Sequence, residues 1–437
     1  MIQQSEKNKK AILRFIGYSL LGIFVFFFQI DIGGNKSIPI DHMIVALKSW
    51  LNSYYPLIIC IISGYFVLKK IVKGTIGKQI SDRIFFLQAL LGFLISGAIL
   101  LKIGSKEFLE IGTSSIQATG NIVCAIFLTS VFIPFLVEYG LVDATGIVCR
   151  PFMRKLFHTP GSSAVIGVSA FLGNYSTGHV ISRKMYEEGR FTERESVIVA
   201  LGFSTCSIGL MLNLANYLNL MEYWSEYVFC ILIITFITTA IVSRIFPICS
   251  KKDAYKEGVT PIKESISSEQ LWSNAWHAGI EKAAKAPRLI EAVKDIQIRV
   301  FPVICGITAT SVFVITCGFF AASYTNLFFY LGSPFYFLLK IVGIVGEEIG
   351  DVIQAIGACI LEPVLSGTIC DGKELSMKSR WIVGVVPYSA IIFFAGSIPS
   401  AWASKINCKT WEMIIIWAER VTISIVLSTI TAKILFG

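Results

Sequence analysis

Long stretches of mostly apolar residues with few charges dominate this sequence. Nine of them are about 17 to 24 residues long, the length of helix that crosses a hydrocarbon layer of about 30 Å. Inside lipid every backbone polar group needs an internal partner, so only helices and closed barrels are stable there. Because the stretches are continuously apolar and do not alternate, they predict helices. The predicted spans are 11–30, 56–72, 84–104, 119–139, 196–218, 224–246, 300–322, 380–402 and 411–434.

The charged residues support this class. Only 15% of the 437 residues are charged, against about 25% in soluble domains. The net charge of +9 does not indicate a nucleic-acid partner, because the Lys and Arg residues lie beside the apolar stretches, as in membrane proteins. The 11 Cys are scattered without a CxxC pair, and the four His are far apart. We therefore expect no disulfide framework, no metal site and no organic cofactor.

Two further segments, 160–187 and 344–371, are long enough to enter the membrane but are unlike plain spans. The first is interrupted by the sequence Gly-Asn-Tyr-Ser-Thr-Gly at 173–178, and the second carries several acids. Interrupted backbone at membrane depth is tolerated only where it lines a cavity or is buried in protein. Both segments therefore predict re-entrant helical hairpins, and the fold class is an all-α polytopic membrane protein.

Basic residues set the expected orientation. Lys7, Lys9 and Lys10 place the N-terminus in the cytoplasm, and counting spans from there places the C-terminus outside a bacterial cytoplasmic membrane. The basic loop 249–298 is then cytoplasmic. It predicts one helix over 268–296, with Ser267 and Gln270 as a capping box. A soluble linker helix and an interfacial helix anchored by tryptophans are both open for this segment.

An internal repeat is the most informative feature. A shift of 184 residues superimposes the span 119–139 on 300–322, the hairpin 160–187 on 344–371, and the span 196–218 on 380–402. The copies start on spans of opposite direction, so the repeat is inverted, as in many secondary transporters. An accidental match within a serial helical bundle is the alternative. The predicted regions are 1–118 (three helices), 119–248 (first copy), 249–299 (cytoplasmic linker helix) and 300–437 (second copy).

The chain also resembles known families. Gly22-Ile23-Phe24 through Ile38-Pro39-Ile40-Asp41-His42 is similar to the opening of the YjiH family of bacterial membrane proteins. The core, 119–434, resembles the Gate (nucleoside recognition) domain of the transporter FeoB and the spore maturation proteins, and half-cores of concentrative nucleoside transporters. The resemblance implies a smaller YjiG-like membrane subunit as a partner, and polar residues of two hairpins and two unwound helices around a ligand.

Polar residues at matching places of both copies predict a substrate site. Two glycines free the backbone beside neutral hydrogen-bonding groups in the first hairpin, and a hydroxyl-rich stretch lies opposite Pro387 and the residues after it. The candidate substrate-binding residues are Asn174, Tyr175, Ser176, Thr177, Ser204, Thr205, Ser207, Glu362, Tyr388 and Ser389. A turn capped by its own side chains, and hydroxyls bonded to the preceding helical turn, are the structural alternatives.

Acidic residues of the second hairpin predict ion coupling. Glu347 and Asp351 share one helical face, and Glu362 lies nearer the tip. An ionised acid at the bilayer centre costs at least about 2.5 kcal/mol, so these acids line water, bind a cation or carry a proton. Alternatively, the hairpin starts later, which leaves Glu347 and Asp351 in an outer aqueous vestibule. Glu362 is the strongest candidate for coupling to H⁺ or Na⁺.

These patterns favour a transporter of a small polar organic solute, either nucleoside-like or another metabolite. The alternative is a non-transporting membrane subunit that assembles with a smaller Gate-domain partner, and a homo-oligomer is compatible with both. No HExxH motif and no arrangement of nucleophile and base indicates an enzyme. The expected partners are the lipid bilayer and a small solute, not nucleic acid.

Overall fold

The computed structural model describes residues 2–74, 76–77, 80–172, 175–203, 208–262 and 270–437, with the backbone alone at 2–8, 80–81, 168–172 and 175–177. Its described residues form helices and one short β-hairpin. The helices are α1 (Ile2–Phe27), α2 (Pro39–Leu51), α3 (Tyr55–Val72), α4 (Ile80–Leu100), α5 (Lys106–Val137), α6 (Leu141–Phe152), α7 (Ser163–Leu172), α8 (Tyr175–Glu187), α9 (Glu193–Phe203), α10 (Ile208–Tyr217), α11 (Trp224–Val242), α12 (Leu271–Lys285), α13 (Leu289–Tyr324), α14 (Leu327–Gly332), α15 (Tyr336–Ile341), α16 (Glu348–Ala358), α17 (Pro363–Cys370), α18 (Met377–Ala390), α19 (Ser397–Ala403) and α20 (Thr410–Phe436). The strands are β1 (Ile30–Ile32) and β2 (Asn35–Ser37), which pair antiparallel.

The chain is an all-α, multi-pass membrane protein. Within the described ranges, eight helical segments are long and apolar enough to cross a membrane, and each matches one of the nine predicted spans. The ninth predicted span, 380–402, is wrong as a continuous helix. It consists of α18 and α19, which are separated by the non-helical residues 391–396. Pro387 inside α18 lacks the N–H that a continuous helix uses, and so weakens the helix before the interruption.

The element order repeats along the chain. From α5 to α11 the order is a long helix, a short helix, a helical pair, the two consecutive helices α9 and α10, and a span. From α13 to α20 the same order recurs, with two short helices, α14 and α15, in place of α6. We use first copy for 106–242 and second copy for 289–436. The predicted boundaries at 118/119 and 299/300 fall inside α5 and α13, and the division into two copies and their inverted relation stay predictions.

The two predicted hairpins are pairs of short helices that contact each other, α7 with α8 and α16 with α17. The second predicted segment is not a single continuous helix, because 359–362 separate α16 from α17, and residues 173–174 of the first segment lie outside the described residues. Glycines with positive φ lie on both sides of the second pair, at Gly343 (85°) and Gly346 (74°) before α16 and at Gly372 (71°) after α17. The re-entrant course of both pairs through a bilayer stays a prediction.

The helices α9, α10 and α18 lie at the centre. In α9 every residue from Ser196 to Phe203 is buried, and so is every residue of α10 from Ile208 to Ala215 and of α18 from Trp381 to Ala390. The other candidate spans keep an exposed apolar side, which suits contact with lipid. Protein therefore surrounds the interruption that follows α18, as broken backbone at membrane depth requires.

The linker differs from the prediction of one helix over 268–296. It contains α12, which ends at Lys285, and the start of α13 at Leu289. Pro287 explains the end of α12, because a proline disfavours the helical conformation in the residue before it. Gln270 is the N-cap of α12 and makes no side-chain cap bond, so its predicted place in a capping box is wrong, and Ser267 lies outside the described residues.

α12 packs on the membrane part of the chain. Ala275, Gly279 and Ala283 are buried, the helix contacts α1 and α6, and Phe15 meets the ring of Trp276 edge to face at 5.5 Å. Trp272 is 75% exposed. This arrangement agrees with a helix lying along the membrane surface better than with a free linker.

Candidate functional site

The interruption of the second copy is a strained, buried backbone. Ile391, directly after α18, has φ 65°, a conformation that a β-branched residue rarely adopts. The chain then runs without helix to Ser397, whose Oγ accepts a hydrogen bond of 2.8 Å from the N–H of Phe393. Strain of this kind costs on the order of 1–3 kcal/mol and is found mainly at functional sites. This interruption is therefore the first element of the candidate site.

The tip of the α16–α17 pair is bonded to this interruption. The N–H of Phe394 donates to the carbonyl of Ile360 at 2.7 Å, and the N–H of Ala395 donates to that of Leu361 at 2.9 Å. Glu362 follows at once as the half-buried N-cap residue of α17. The backbone pairing thus places an acidic residue next to an interrupted helix.

Tyr388 and Ser389 lie in the last turn of α18, and both are fully buried. The Tyr388 hydroxyl donates to the carbonyl of Leu210 in α10 at 2.5 Å, so it links the two copies. The Ser389 hydroxyl donates back to the carbonyl of Val385 at 3.0 Å, which is the structural alternative foreseen for this residue. The backbone carbonyl of Ser389 accepts hydrogen bonds from Arg420.

Arg420 is a buried residue of α20. Its Nε and Nη2 atoms donate to the Ser389 carbonyl at 3.0 and 2.7 Å, and Nη1 donates to Oγ1 of Thr239 at 3.0 Å. The Oγ1 hydroxyl of Thr239 lies 2.7 Å from the carbonyl oxygen of Gly202 in α9. A Cβ on Gly202 would lie 2.4 Å from Cγ2 of Thr239, so only glycine permits this approach. The end of α18 and the part of α9 around Gly202 therefore meet in one polar cluster.

The other predicted substrate residues belong to the first copy. Asn174, Ser204, Thr205 and Ser207 lie outside the described residues. Tyr175, Ser176 and Thr177 form the first turn of α8, where the backbone alone is described. The flanking elements are placed, since α8 contacts α9 and α9 ends at Phe203. The substrate role of all these residues stays a prediction.

The structure places two of the three predicted coupling acids away from the interruption. Glu347 is the exposed N-cap residue of α16, and Asp351 forms an ion pair of 3.2 Å with Lys373. Both lie near the start of α16, which is about 15 Å long and carries the tip at its other end. This placement agrees with the vestibule alternative for these two acids, and it leaves Glu362 as the acid beside the interruption.

A cavity of about 220 Å³ lies near the Lys373 end of the α16–α17 pair, away from its tip. It opens between the end of α10 and the loop from α17 to α18, and its lining includes Tyr217, Asn219, Lys373 and Arg380. Polar and charged groups of this kind hold water.

Sequence reasoning gave Arg420 no place in the candidate site and missed the full extent of the interruption at 391–396. The available signal for Arg420 was a lone arginine inside an apolar span, which is costly unless it is paired or bonded to carbonyls. The interruption had Pro387 as a signal, but Ile391 to Phe394 are as apolar as a continuous span.

Residues 120–221 match the family model Gate, described as nucleoside recognition. This match covers most of the first copy, from within α5 to the residues after α10, and confirms the resemblance to that domain. The description concerns recognition and names no catalysed reaction. An uncharacterized protein of Alkalihalophilus pseudofirmus is 24% identical over 444 residues, which cover 97% of this chain and 95% of that protein.

Solved structures of CNTnw are similar over almost the whole chain. An inward-facing, substrate-bound state is 12% identical with a TM-score of 0.43, and covers 99% of this chain and 97% of its own. An intermediate state of a CNTnw variant is 14% identical with a TM-score of 0.44, and covers 96% of this chain and 99% of its own. At these TM-scores the likeness assigns no residue or activity to this protein.

Proposed function

We propose that this protein is a secondary-active transporter of a small polar organic solute, nucleoside-like or another metabolite, coupled to H⁺ or Na⁺. The observation that carries this proposal is the backbone pairing between the interruption at 391–396 and the hairpin tip at Ile360 and Leu361, with Glu362 beside it. Interrupted helices of this kind, facing each other at the interface of two repeats, form the substrate and ion sites of secondary transporters.

The chemistry of these groups suits a neutral, hydroxyl-bearing ligand. A half-buried carboxylate accepts hydrogen bonds from hydroxyl groups, and the amide and hydroxyl side chains proposed for the first copy donate to or accept from an amide or base edge. A nucleoside carries both kinds of group, and the description of the matched Gate family supports this class of solute. Asn174, Tyr175, Ser176, Thr177, Ser204, Thr205 and Ser207 are proposed to complete the site from the first copy, with Tyr388 and Ser389 from the second.

Glu362 has a second proposed role in ion coupling. A carboxyl group beside an interrupted helix either carries the coupling proton or contributes an oxygen ligand to Na⁺. Glu347 and Asp351, near the Lys373 side of the pair, are proposed to act on ions that enter through the polar vestibule. One carboxylate near the ligand links solute binding to ion binding, which a coupled transporter requires.

The proposed setting is a bacterial cytoplasmic membrane, with the N-terminus inside and the C-terminus outside. The basic N-terminal residues and the basic segment between the copies support this orientation. Assembly as a homo-oligomer, or with a smaller YjiG-like Gate-domain subunit, belongs to the same proposal.

Uptake into proteoliposomes tests the function. Purified protein should accumulate a labelled nucleoside when a Na⁺ or pH gradient is imposed, and accumulation should stop when the gradient is collapsed. Glu362→Gln should lose gradient-driven uptake while it retains its folded yield. Glu110→Gln, which changes an exposed acid of α5, is the matched control and should transport like the unmodified protein.

Two results would count against the proposal. Full gradient-driven uptake by Glu362→Gln would remove this residue from coupling. Uptake that requires co-reconstitution with a smaller Gate-domain protein would favour the alternative, a subunit that does not transport alone.

A further inference from the structure

α10 carries two asparagines in a helix that is otherwise mostly apolar, and neither belongs to the candidate site. Asn213 is 1% exposed, and Asn216 is half-buried. Their amide nitrogens donate to carbonyls of the same helix, those of Gly209 and Leu212. A side-chain amide has two N–H donors and an accepting oxygen, so both side chains can bind further groups. Those groups come from outside the two copies.

The N-terminal region supplies them from α2 and the residues before it. The Lys48 ammonium donates to Oδ1 of Asn213 at 3.2 Å. Nδ2 of Asn216 donates to Oδ1 of Asp41 at 2.9 Å. The other carboxylate oxygen of Asp41 accepts from Ser37 Oγ at 2.8 Å. Asp41 is 4% exposed, and Lys48 is partly buried. Two charged side chains of α2 thus bind two neutral amides of one helix.

The two charges match the two amides in position. Asp41 and Lys48 are seven residues apart, which places them about two turns apart on one face of α2. Asp41 binds the later asparagine and Lys48 the earlier, so α2 and α10 run in opposite directions. Among the described residues, neither charge takes part in an ion pair. α2 begins a candidate membrane span, where charged side chains are costly and usually functional.

α10 connects these contacts to the candidate site. The Leu210 carbonyl, one turn before Asn213, accepts the hydrogen bond of the Tyr388 hydroxyl. Tyr388 lies three residues before Ile391, where the interruption of the second copy begins. Closely packed interiors transmit displacements, so a shift of α10 at Asn213 also moves the oxygen that Tyr388 binds. Lys48 is therefore linked to the interruption by a continuous series of contacts.

We propose that Lys48 and Asp41 are positioning residues for solute transport, which hold α10 in register with the second copy. This role presupposes the transport function proposed above. α2 lies outside residues 120–221, which match the Gate model, so that match does not account for either residue. The N-terminal region is then a working part of the transporter and not only an additional membrane anchor.

A double-mutant cycle tests the contact between α2 and α10. Lys48→Met and Asn213→Leu should each lower the melting temperature of the purified full chain by about 3 °C, because each leaves a polar partner unpaired. The double variant should melt within about 1 °C of the unmodified protein, since apolar groups then replace both partners. Losses that simply add would show that the two side chains do not interact, and would overturn the proposal.

Uptake kinetics test the positioning role. Lys48→Met should raise the KM for uptake of the labelled nucleoside by about fivefold, as for the loss of one hydrogen bond from the binding energy. KM should stay raised in the double variant, which regains stability but lacks the bond that fixes the register of α10. Recovery of KM together with the melting temperature would show a purely structural role and would contradict the proposal.

Lys340→Met is the matched control, because it makes the same change at an exposed lysine of α15. Its KM and melting temperature should equal those of the unmodified protein. Lys48→Arg keeps a long, charged donor and should transport with nearly the normal KM. Absence of uptake by the unmodified protein would contradict the proposed function, whereas a normal KM in Lys48→Met would contradict this inference alone.

A variant of the second bond keeps the test decisive if Lys48→Met does not fold. Asn216→Ala removes the bond to Asp41 and leaves Lys48 and Asn213 in place. It should raise KM by about threefold. A normal KM in the folded Asn216→Ala protein would show that the bonds between α2 and α10 do not position the site.

Discussion

Two of the contact regions between the copies are built differently. In each, a short helix of one copy packs on the helical pair of the other copy: α19 on α8, and α10 on α17. The α8–α19 region is polar, with His179 Nδ1 hydrogen-bonded to Ser400 Oγ at 2.9 Å. The α10–α17 region is close apolar packing, in which a Cβ on Gly367 would lie 2.4 Å from Cδ1 of Leu214.

The polar region extends beyond the helices. Arg183 of α8 donates to the carbonyl of Lys405, which follows α19, at 3.0 Å. Asn407 donates to the Glu193 carboxylate at 2.7 Å. Water can replace bonds of this kind, so each contributes only about 0.5–1.5 kcal/mol net. Water cannot replace the contacts of close apolar packing in this way. The α8–α19 region should therefore separate at lower cost, and in the proposed orientation it faces the cytoplasm.

The largest effect is expected from Gly367→Leu. The new side chain has no space between α17 and α10, and overpacking of this kind costs about 1–3 kcal/mol or more. We expect a clear fall of the melting temperature and loss of uptake. Gly350→Leu is the matched control, because a Cβ on Gly350 of α16 meets nothing within 4 Å. Equal melting temperatures of the two variants would show that the α10–α17 contact is not tightly packed in solution.

A smaller effect is expected from Ser400→Ala. The change removes the hydroxyl bonded to His179 and should cost about 1 kcal/mol, as for a typical buried hydrogen bond. Denaturant unfolding in detergent measures this difference. Ser49→Ala removes a hydroxyl that bonds only within α2, to the carbonyl of Ala46, and provides the control. A loss as large as that of Gly367→Leu would contradict the contrast between the two regions.

The smallest effect is expected from Asn407→Ala. Its bond to Glu193 is exposed, and surface changes of this kind usually stay within about 0.5 kcal/mol. The same unfolding measurement should not separate this variant from the unmodified protein. A loss above about 1 kcal/mol would mean that the exposed end of the α8–α19 region stabilises the joined copies after all.

The sequence predicted the spans and the order of elements because apolar length and turn residues are local properties. Eight spans were confirmed, and both hairpin segments are helical pairs. The interruption after Ala390 was only partly visible, since Ile391 and Phe393 read as a continuation of the span. Its conformation depends on the backbone bonds to Ile360 and Leu361, which join residues more than thirty positions apart.

The candidate site was predictable in part for a similar reason. Glu362 stands out as an acid followed by proline in an apolar segment, and the structure places it beside the interruption. Arg420 stood out equally, but its partners, Ser389 and Thr239, come from two other helices. Sequence spacing does not bring three separate helices together, so the role of this arginine follows only from the fold.

The bonds of Phe394 and Ala395 to the tip of the α16–α17 pair have a mechanical consequence. Two segments joined by paired backbone bonds move as one body, so the tip is a poor place for a hinge. Any swing of this pair must bend where the backbone is freest. Gly343, Gly346 and Gly372 stand at that opposite end, with the positive φ angles of permissive glycines. The α16–α17 pair is therefore held to the interruption at its tip and can bend at the glycines of its other end. Its rotation would move the end of α18 with it.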